Sequence, residues 1–326
     1  MTLNLYNKSV IALVICSFLL ILSCKDNKKV AANDEPIAHE IAEEPFFKLS
    51  LAQWSLHRTF NDEGVSPFKF AEMAKAHGFE GLEYVNQIYE NQIEALGIDT
   101  VIDSLMVMSQ LHNMSNVLIM VDGEGDLADP SEKVRDQAVE NHKKWIDAAQ
   151  KLGCHSIRVN TFGTNDPELW LPSVVDGLKK LSEYAATKNI NVLCENHGWL
   201  SSDAAKLVEA INQVNMENCG TLPDFGNWCV KRKEGAKWGE CEEVYSDKYE
   251  GIKMMLPAAK AVSAKSYDFD EEGNETTLDY PRILKLVKDA GYTGFIGVEY
   301  EGKRLSEKEG ILATKALLLK AASGLQ

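Results

Sequence analysis

Apolar and polar positions alternate on two length scales from Lys48 to the end of the chain. Short apolar runs, several of them rich in β-branched residues, predict buried strands. Between them lie longer stretches in which apolar residues recur every three or four positions, which predicts amphipathic helices. The predicted strands are KLSLAQW (48–54), FEGLEYV (79–85), MSNVLIMV (114–121), HSIRVN (155–160), INVLCEN (190–196), ENCGTLPD (217–224), AKAVSAK (259–265) and TGFIGVEY (293–300).

A helix is predicted after each strand, and several of these helices have recognisable ends. Ser131 and Gly153 are typical of the start and end of a long helix, and Ser201 or Ser202 is expected to cap another. The predicted helices cover 66–78, a segment ending near 112, 131–153, 167–188, 201–214, 244–258, 279–291 and 306–322. This repeated strand–helix alternation predicts a closed (β/α)8 TIM barrel rather than an open doubly wound sheet. No glycine-rich phosphate fingerprint follows the first strand, which also disfavours a dinucleotide fold.

Residues 225–243 form a long predicted loop that is rich in Gly, Lys and Trp. Its KRKEGAK segment is expected either to be a solvated surface or to form a lid over the barrel mouth, since long loops at that rim often serve as lids. Cys229 and Cys241 both lie in this region and form the pair to test for a disulfide. Cys154 and Cys194 lie in or beside apolar runs and are expected to be buried, inert thiols.

The first residues have the pattern of an export signal. Lys8 precedes the apolar run VIALVICSFLLIL, which is too short for a comfortable membrane span. Ser23 followed by Cys24 resembles a bacterial lipoprotein cleavage site, which implies removal of residues 1–23 and lipidation of Cys24. An ordinary signal peptide and an uncleaved anchor are the alternatives. Residues 24–46 are polar and charged and predict a flexible tether, followed by the barrel domain at 47–326. The expected location is the cell envelope, at the periplasm or outer membrane.

The composition narrows the class of partner. The chain is 45% hydrophobic, enough for a large core, and its formal net charge is −15. Such an acidic protein is repelled by nucleic acid, whose binding depends on Lys and Arg against phosphates. It also gains nothing from anionic lipid, so membrane attachment is expected only through the lipid anchor.

Three acidic residues each close a predicted strand: Glu195, Asp224 and Glu299. The carboxyl ends of barrel strands meet at one rim, where TIM-barrel active sites are found. Carboxylates that converge there repel one another, and a divalent cation would compensate the repulsion. The sequence therefore predicts a metal site formed by these three residues.

Other polar residues fall at the same strand ends and suit a polyhydroxylated ligand. His197 follows Glu195 by two positions and is expected to face the same side; a substrate contact is favoured over a metal ligand or a helix cap. Lys265 lies at a strand end, where a partly buried ammonium needs a partner or a role. Glu83 is expected either to be that partner or to be a carboxylate behind the site. The predicted substrate-binding residues are Trp54, His57, Glu83, Asn160, His197 and Asn227, and further rim residues are Asp122, Arg158 and Glu301.

These residues lie in segments that resemble the xylose-isomerase-like TIM-barrel superfamily, often labelled sugar phosphate isomerase/epimerase. The segments are LAQWSLHR, GFEGLEYVN, LGCHSIRVN, CENHG, LPDFGNW, AVSAKSYDF and GFIGVEYEG. The resemblance implies one divalent metal, usually manganese, magnesium or cobalt, held by Glu, Asp, His and Glu from strands five to eight. Glu195, Asp224 and Glu299 match three of these ligands. Ser263 occupies the histidine position, and a serine hydroxyl is a poorer ligand than imidazole.

The resemblance also implies a reaction on a small carbohydrate. The metal would polarise the carbonyl of a keto-sugar and stabilise an enediolate. Glu195 and Glu299 would carry protons, Asp224 would be a ligand only, and Lys265 and His197 would stabilise developing oxyanions. The expected activity is isomerisation or epimerisation.

Three other interpretations stay open. The first is elimination from a 3-keto-glycoside in the same site, for which an envelope protein would meet free or oxidised sugars rather than sugar phosphates. The second is a non-catalytic carbohydrate-binding lipoprotein, suggested by Ser263 and the tether. The third is an abasic-site endonuclease, a class that shares the barrel but resembles a trinuclear zinc site with several histidines on the rim and a basic DNA surface. The chain has a strongly negative charge and seven histidines, at least one of them in the tether, so this interpretation is disfavoured. A homo-oligomer is compatible with all of these.

Overall fold

A computed structural model describes residues 44–325 of the chain. The predicted signal peptide (1–23), the lipidation of Cys24 and all but the last residues of the tether lie outside the described residues. None of the helices between residues 44 and 325 has the length and apolar character needed to cross a membrane.

The described chain contains ten strands and ten α-helices, together with several short 3-10 turns. The strands are β1 Lys48–Ala52, β2 Gly81–Val85, β3 Ser115–Val121, β4 Ser156–Val159, β5 Asn191–Glu195, β6 Cys219–Leu222, β7 Cys229–Arg232, β8 Cys241–Val244, β9 Val262–Ser266 and β10 Phe295–Tyr300. The helices are α1 His57–Asn61, α2 Phe70–Ala76, α3 Glu90–Leu96, α4 Ile98–Leu111, α5 Glu132–Leu152, α6 Pro167–Ala186, α7 Ala204–Val214, α8 Lys248–Met255, α9 Tyr280–Asp289 and α10 Glu307–Ser323.

Eight of the strands form one parallel sheet in the order β6-β5-β4-β3-β2-β1-β10-β9. The two outer strands of this order meet through parallel bridges between Thr221 and Ala259 and between Asp224 and Ser263. Backbone hydrogen bonds support the second bridge, because Ser263 N donates to Pro223 O at 3.0 Å and Phe225 N donates to Ser263 O at 3.1 Å. The predicted TIM-barrel fold is confirmed.

The core fills the barrel and the layer between the barrel and its helices. Its largest fully buried side chains include Trp170, Tyr280, Tyr300 and Phe70. Strands β2 and β4 are buried at every position, as expected for parallel strands covered on both faces. The barrel therefore holds the carboxyl ends of its strands in fixed register, and this register positions the site.

The structure corrects four details of the sequence prediction. The segment 225–243 is more than a loop, because it contains the antiparallel hairpin β7–β8. The second predicted helix is divided at Gly97, whose φ of 80° is a conformation that favours glycine. A 3-10 turn at Gln53–Leu56 and a short helix, α1, follow the first strand. Helix α7 is capped by Asp203, whose side chain accepts a hydrogen bond from Lys206 N, whereas Ser201 and Ser202 belong to the preceding 3-10 turn.

The cysteine prediction has a clear outcome. Cys229 and Cys241, the pair singled out in the sequence, form a disulfide that closes hairpin β7–β8. Cys154, Cys194 and Cys219 are free and buried, and burial raises the pKa of the Cys154 thiol above its usual value. The disulfide therefore stabilises the hairpin that follows β6 at the barrel mouth.

Candidate active site

Three carboxylates converge at the carboxyl ends of the barrel strands. Glu195 and Glu299 lie within the last two residues of β5 and β10, and Asp224 follows β6 by two residues. One carboxylate oxygen from each lies within 4.8 Å of the other two, and all three side chains are buried. The structure thus brings together the three residues that the sequence predicted as metal ligands.

Asp224 is held rigidly by the backbone around it. Its Oδ1 accepts hydrogen bonds from the N–H groups of Gly226 and Asn227, each at 2.8 Å. Asn196 fixes the backbone of Asp224, accepting from its N–H at 2.7 Å and donating to its carbonyl at 3.0 Å. Asp224 therefore presents Oδ2 toward the cluster without freedom to turn away.

Ser263, at the position where the family resemblance implies a histidine, contacts the same cluster. Its hydroxyl lies 2.7 Å from Asp224 Oδ2 and 3.0 Å from Glu299 Oε2. The contact follows from the register, because Ser263 is the bridge partner of Asp224 and pairs with Gly297 on β10. A hydroxyl has a single hydrogen, so it can donate to only one of these two carboxylates at a time.

The guanidinium of Arg158 places a positive charge beside Glu195 in the cluster. Its Nη1 donates to Asp122 Oδ1 at 2.8 Å, and its Nε lies 2.9 Å from Glu195 Oε2. Among the described residues, however, that Nε–H makes no aligned hydrogen bond, so the contact with Glu195 is an ion pair only. Glu195 Oε1 also accepts a hydrogen bond from Asn227 Nδ2 at 2.9 Å.

Lys265 is 1% exposed and pairs with acidic residues on its own rim. Its Nζ lies 3.1 Å from Glu299 Oε1, 3.2 Å from Glu301 Oε1 and 4.0 Å from Asp224 Oδ2. Burial alone would lower the pKa of this ammonium, but the carboxylates of Glu299, Glu301 and Asp224 raise it well above its usual value. Lys265 is therefore a fixed cation of the site.

Of the two alternatives that the sequence left open for Glu83, the structure favours a carboxylate behind the site over a partner of Lys265. Glu83 lies on β2, whereas Lys265 is on β9, with β1 and β10 between them. Its carboxyl accepts a hydrogen bond from Ser50 Oγ at 2.6 Å, and burial raises its pKa to about 8. Gly297 makes room for it, since a Cβ there would lie 2.4 Å from the carboxyl oxygens. Glu83 is thus a buried carboxyl behind the site.

Burial disfavours the ionised forms of Glu195 and Asp224 in the cluster. It raises the pKa of Glu195 to about 8 and the pKa of Asp224 to about 6. Two oxygens that bind one hard divalent ion at about 2.1–2.5 Å can be at most about 4–5 Å apart, which matches the 4.8 Å spread of the cluster. The residues present therefore fit a divalent cation, and all the donors that they offer are oxygens.

A hydrogen-bonded chain fixes the ring of His197. Asn160 Nδ2 donates to the carboxylate of Asp122, so Asn160 Oδ1 faces His197 Nδ1 at 2.7 Å and must accept its proton. Burial, reinforced by the charge of Arg158, lowers the pKa of His197 to about 3. The imidazole is therefore neutral, with its unprotonated lone pair on Nε2.

Trp54 and His57 stack on each other with ring centroids 4.8 Å apart. Trp54 lines the cavity described below. His57 Nδ1 lies 2.7 Å from Trp54 O and 3.6 Å from Glu307 Oε1. His57 and Glu83 are the two predicted substrate contacts that the structure places outside the cavity lining, whereas Trp54, Asn160, His197 and Asn227 belong to it.

A cavity of about 790 Å³ opens above the carboxylates. Glu299 and Glu301 line its inner part with Arg158, whereas Glu195 and Asp224 are covered, at 3% and 0% exposure. Arg232 and Lys237 of its outer walls belong to the KRKEGAK segment, which the sequence predicted either as a solvated surface or as a lid, whereas Asp126, Phe162 and Trp238 were not predicted to line the cavity. The only signal in the sequence was the tryptophan and lysine content of the segment 225–243.

Comparison with known proteins agrees with this architecture. The profile of the xylose isomerase-like TIM barrel family matches residues 71–322, and the chain therefore belongs to that family. A C-glycoside deglycosidase alpha subunit from Arthrobacter globiformis is 40% identical over 53 residues, which is 16% of this chain and 15% of that protein.

Solved structures resemble the whole barrel at low sequence identity. The IOLI protein with a bound zinc atom superposes with a TM-score of 0.63 at 16% identity, covering 85% of this chain and 99% of the other. The 3-keto-D-glucoside 4-epimerase YcjR from E. coli gives a TM-score of 0.60 at 13% identity, covering 84% and 99%. At such identities these likenesses show the fold, and function must be argued from the site.

Proposed function

We propose that this protein is a metal-dependent isomerase or epimerase that acts on a keto-sugar through an enediolate intermediate. The observation that carries the proposal is the buried cluster of Glu195, Asp224 and Glu299, of which Glu299 lines the cavity. Without a cation, burial and mutual repulsion disfavour the ionised forms of these three carboxylates, and a bound divalent cation would compensate both effects. Membership of the xylose isomerase-like family and the likeness to a keto-glucoside epimerase support the same chemistry.

Glu195, Asp224 and Glu299 would hold the metal. When bound, a divalent ion acts as a Lewis acid that makes the C–H next to a carbonyl more acidic. Because Ser263 replaces an imidazole donor, the ligands are all oxygens, a set that suits magnesium or manganese better than zinc or cobalt. Ser263 itself orients the carboxylates of Asp224 and Glu299 through its hydroxyl.

The chain's own residues can move the proton. Glu299 lines the cavity and would take the proton from the carbon; the C–H electron pair then forms the carbon–carbon double bond of the enediolate as the π pair of the carbonyl moves onto its oxygen. Glu195, adjacent to the cavity-lining His197 and Asn227, would return a proton to the opposite face or to the neighbouring carbon. The ammonium of Lys265, fixed 3.1 Å from Glu299, would stabilise the negative charge that develops on oxygen. The neutral ring of His197 offers its Nε2 lone pair and would instead accept a hydrogen bond from a substrate hydroxyl.

A second reaction is favoured by the size of the cavity and by the C-glycoside deglycosidase likeness over 53 residues. In a 3-keto-glycoside the same carbanion can expel the group at the anomeric carbon. The C–H electron pair then forms a double bond as the bond to the aglycone breaks, and a carboxylic acid protonates the leaving oxygen. Release of the aglycone would distinguish this lyase from an epimerase.

The protein is proposed to work in the cell envelope, lipidated at Cys24, with a small carbohydrate as its ligand. The lipoprotein pattern of residues 1–24 supports this. Mass spectrometry of the membrane-extracted protein would test it: a diacylglyceryl group on Cys24 as the first residue is expected, and a free N-terminus elsewhere would refute it.

Solvent-deuterium uptake tests the proposed chemistry. Magnesium-loaded protein in D2O is incubated with D-fructose and, separately, with the 3-keto form of methyl β-D-glucoside, and NMR follows the C–H next to the carbonyl. Glu195→Gln and Glu299→Gln should slow exchange by about a hundredfold or more, the usual contribution of a general acid or base. Glu243→Gln, on the exposed strand β8, is the matched control. Exchange that survives in both site variants would refute the proposal.

A further inference from the structure

We propose that the outer half of the cavity is a subsite for an aromatic aglycone, so that the substrate is an aryl glycoside rather than a free sugar. This inference rests on the proposed function, because it places the sugar ring at the carboxylates. The subsite is the surface formed by Phe162 and Trp238, and none of the chemistry described above requires it.

The cavity is larger than one sugar ring needs. Pockets that hold drug-sized ligands run from about 300 to 1,000 Å³, and this one measures about 790 Å³. Its lining includes the charged residues Glu299, Glu301 and Arg158 from the strand ends, and the apolar side chains of Phe162 and Trp238 from the loops. One end of the ligand is therefore expected to be polyhydroxylated and the other apolar.

The aromatic surface begins directly beside the sugar site. The ring of Trp238 lies 5.0 Å from the ring of His197, whose Nδ1 is 3.8 Å from Glu195 Oε2. The ring of Phe162 lies 5.1 Å from Trp238 at a steep angle, so that the two rings form one continuous apolar wall. A group attached to a sugar held at the carboxylates would meet this wall first.

Trp238 is held in place although it is 52% exposed. The disulfide between Cys229 and Cys241 closes the hairpin that carries it. Its neighbour Lys237 bonds both oxygens of Asp126 across the cavity at 2.6 and 2.7 Å. An exposed tryptophan that is fixed at both ends loses little conformational freedom when a ligand covers it, which favours binding.

Two acidic groups beside the wall are already occupied, whereas Arg232 Nε makes no hydrogen bond within residues 44–325. Both carboxylate oxygens of Asp126 accept from Lys237, and Glu124 Oε1 contacts Trp145 Nε1 at 2.7 Å and Lys144 Nζ at 2.8 Å. A second sugar ring would need free partners for the hydroxyls around its edge. An aromatic ring needs only the apolar face, and offset or edge-to-face contacts with Phe and Trp suit it.

Equilibrium binding of two unreactive ligands tests the subsite. Phenyl and methyl β-D-glucoside lack the keto group and stay intact, and calorimetry with the full mature protein gives the Kd of each. The phenyl compound should bind about threefold to tenfold more tightly, the advantage that an aromatic contact supplies. Trp238→Ala should remove this advantage and leave the methyl compound within twofold, and Trp238→Phe should keep most of it.

Val244→Ala is the matched control, because Val244 is exposed on the same hairpin and lies outside the cavity lining. Equal affinity for the two glucosides, or no binding of the phenyl compound, overturns the subsite. A larger gain from cellobiose than from the phenyl compound also overturns it, in favour of a second sugar ring. Deuterium uptake into free keto-sugars is a separate readout, so the subsite can fail while the proposed enediolate chemistry stands.

Discussion

Removing the buried ammonium of Lys265 should destabilise the metal-free protein strongly. Lys265→Met keeps the length and apolar stem of the side chain but leaves Glu299 and Glu301 without the cation that lies 3.1 and 3.2 Å from them. Breaking a buried ion pair by removing one partner typically costs about 3–5 kcal/mol, because the remaining charge is buried and uncompensated. We expect a loss of that size in the free energy of unfolding at pH 7.

The stability deficit of Lys265→Met should depend on pH in a direction set by the pKa values of the site. The pKa of Lys265 is raised in the folded protein, so its contribution is complete below the unfolded lysine pKa of about 10.4 and is lost only as the pH rises through the folded value. In the variant, the uncompensated carboxylates can instead take up protons. Asp224 already has a pKa of about 6, above its unfolded value, so the deficit of the variant should shrink between pH 7 and pH 5.

Urea unfolding of EDTA-treated protein, followed by circular dichroism, measures both effects. Lys285→Met is the matched control, since Lys285 pairs with Asp289 on an exposed helix face, and such a surface pair contributes within about 0.5 kcal/mol. A Lys265→Met protein as stable as the control at pH 7 would refute the electrostatic account of the site. A deficit that grows toward pH 5 would do so as well.

Three further substitutions at the barrel rim have outcomes that can be measured. Cys241→Ser opens the disulfide of the hairpin and should lower the free energy of unfolding by about 2–4 kcal/mol, measured by urea titration against reduced wild-type protein, which should match it. Asp126→Asn removes the exposed ion pair with Lys237, costing at most about 1 kcal/mol, yet amide exchange at residues 233–239 should speed up; unchanged exchange would show that this pair does not hold the hairpin. Ser263→Ala removes a hydroxyl that contacts two buried carboxylates and should lower the free energy of unfolding of metal-free protein by about 1–3 kcal/mol. A variant more stable than the wild type would show that the hydroxyl does not stabilise these carboxylates.

The barrel and its carboxylates could be predicted because both depend on local pattern. Each of Glu195, Asp224 and Glu299 ends an apolar run, and a parallel barrel places all such ends at one rim. No long-range contact had to be known for this inference. The same reasoning found Asn160 and Asn227, which line the cavity.

The partners of these residues could not be found in the same way. The sequence left Glu83 open as a partner of Lys265, but the sheet order separates β2 from β9 by two strands. The register instead places Lys265 opposite Glu299. Pairing around a barrel depends on strand order and stagger, which a single sequence does not state.

The outer cavity was missed for a different physical reason. Trp238 reaches the mouth only because β7 and β8 fold back on each other and the disulfide closes them. Phe162 lies just past β4 in a loop and contributes through its contact with Trp238. Surfaces built from two loops leave no periodic signal in the sequence, since each loop alone is irregular.

Metal titration of the apoprotein tests the central claim most directly. Calorimetry of EDTA-treated wild-type protein with magnesium and manganese should show one site, and Asp224→Asn should weaken the affinity by about tenfold or more, because the variant removes a charged ligand oxygen from a buried site. Asp289→Asn, on the exposed face of α9, should bind as the wild type does. Absence of binding by the wild type, or equal affinity in Asp224→Asn, would contradict the account.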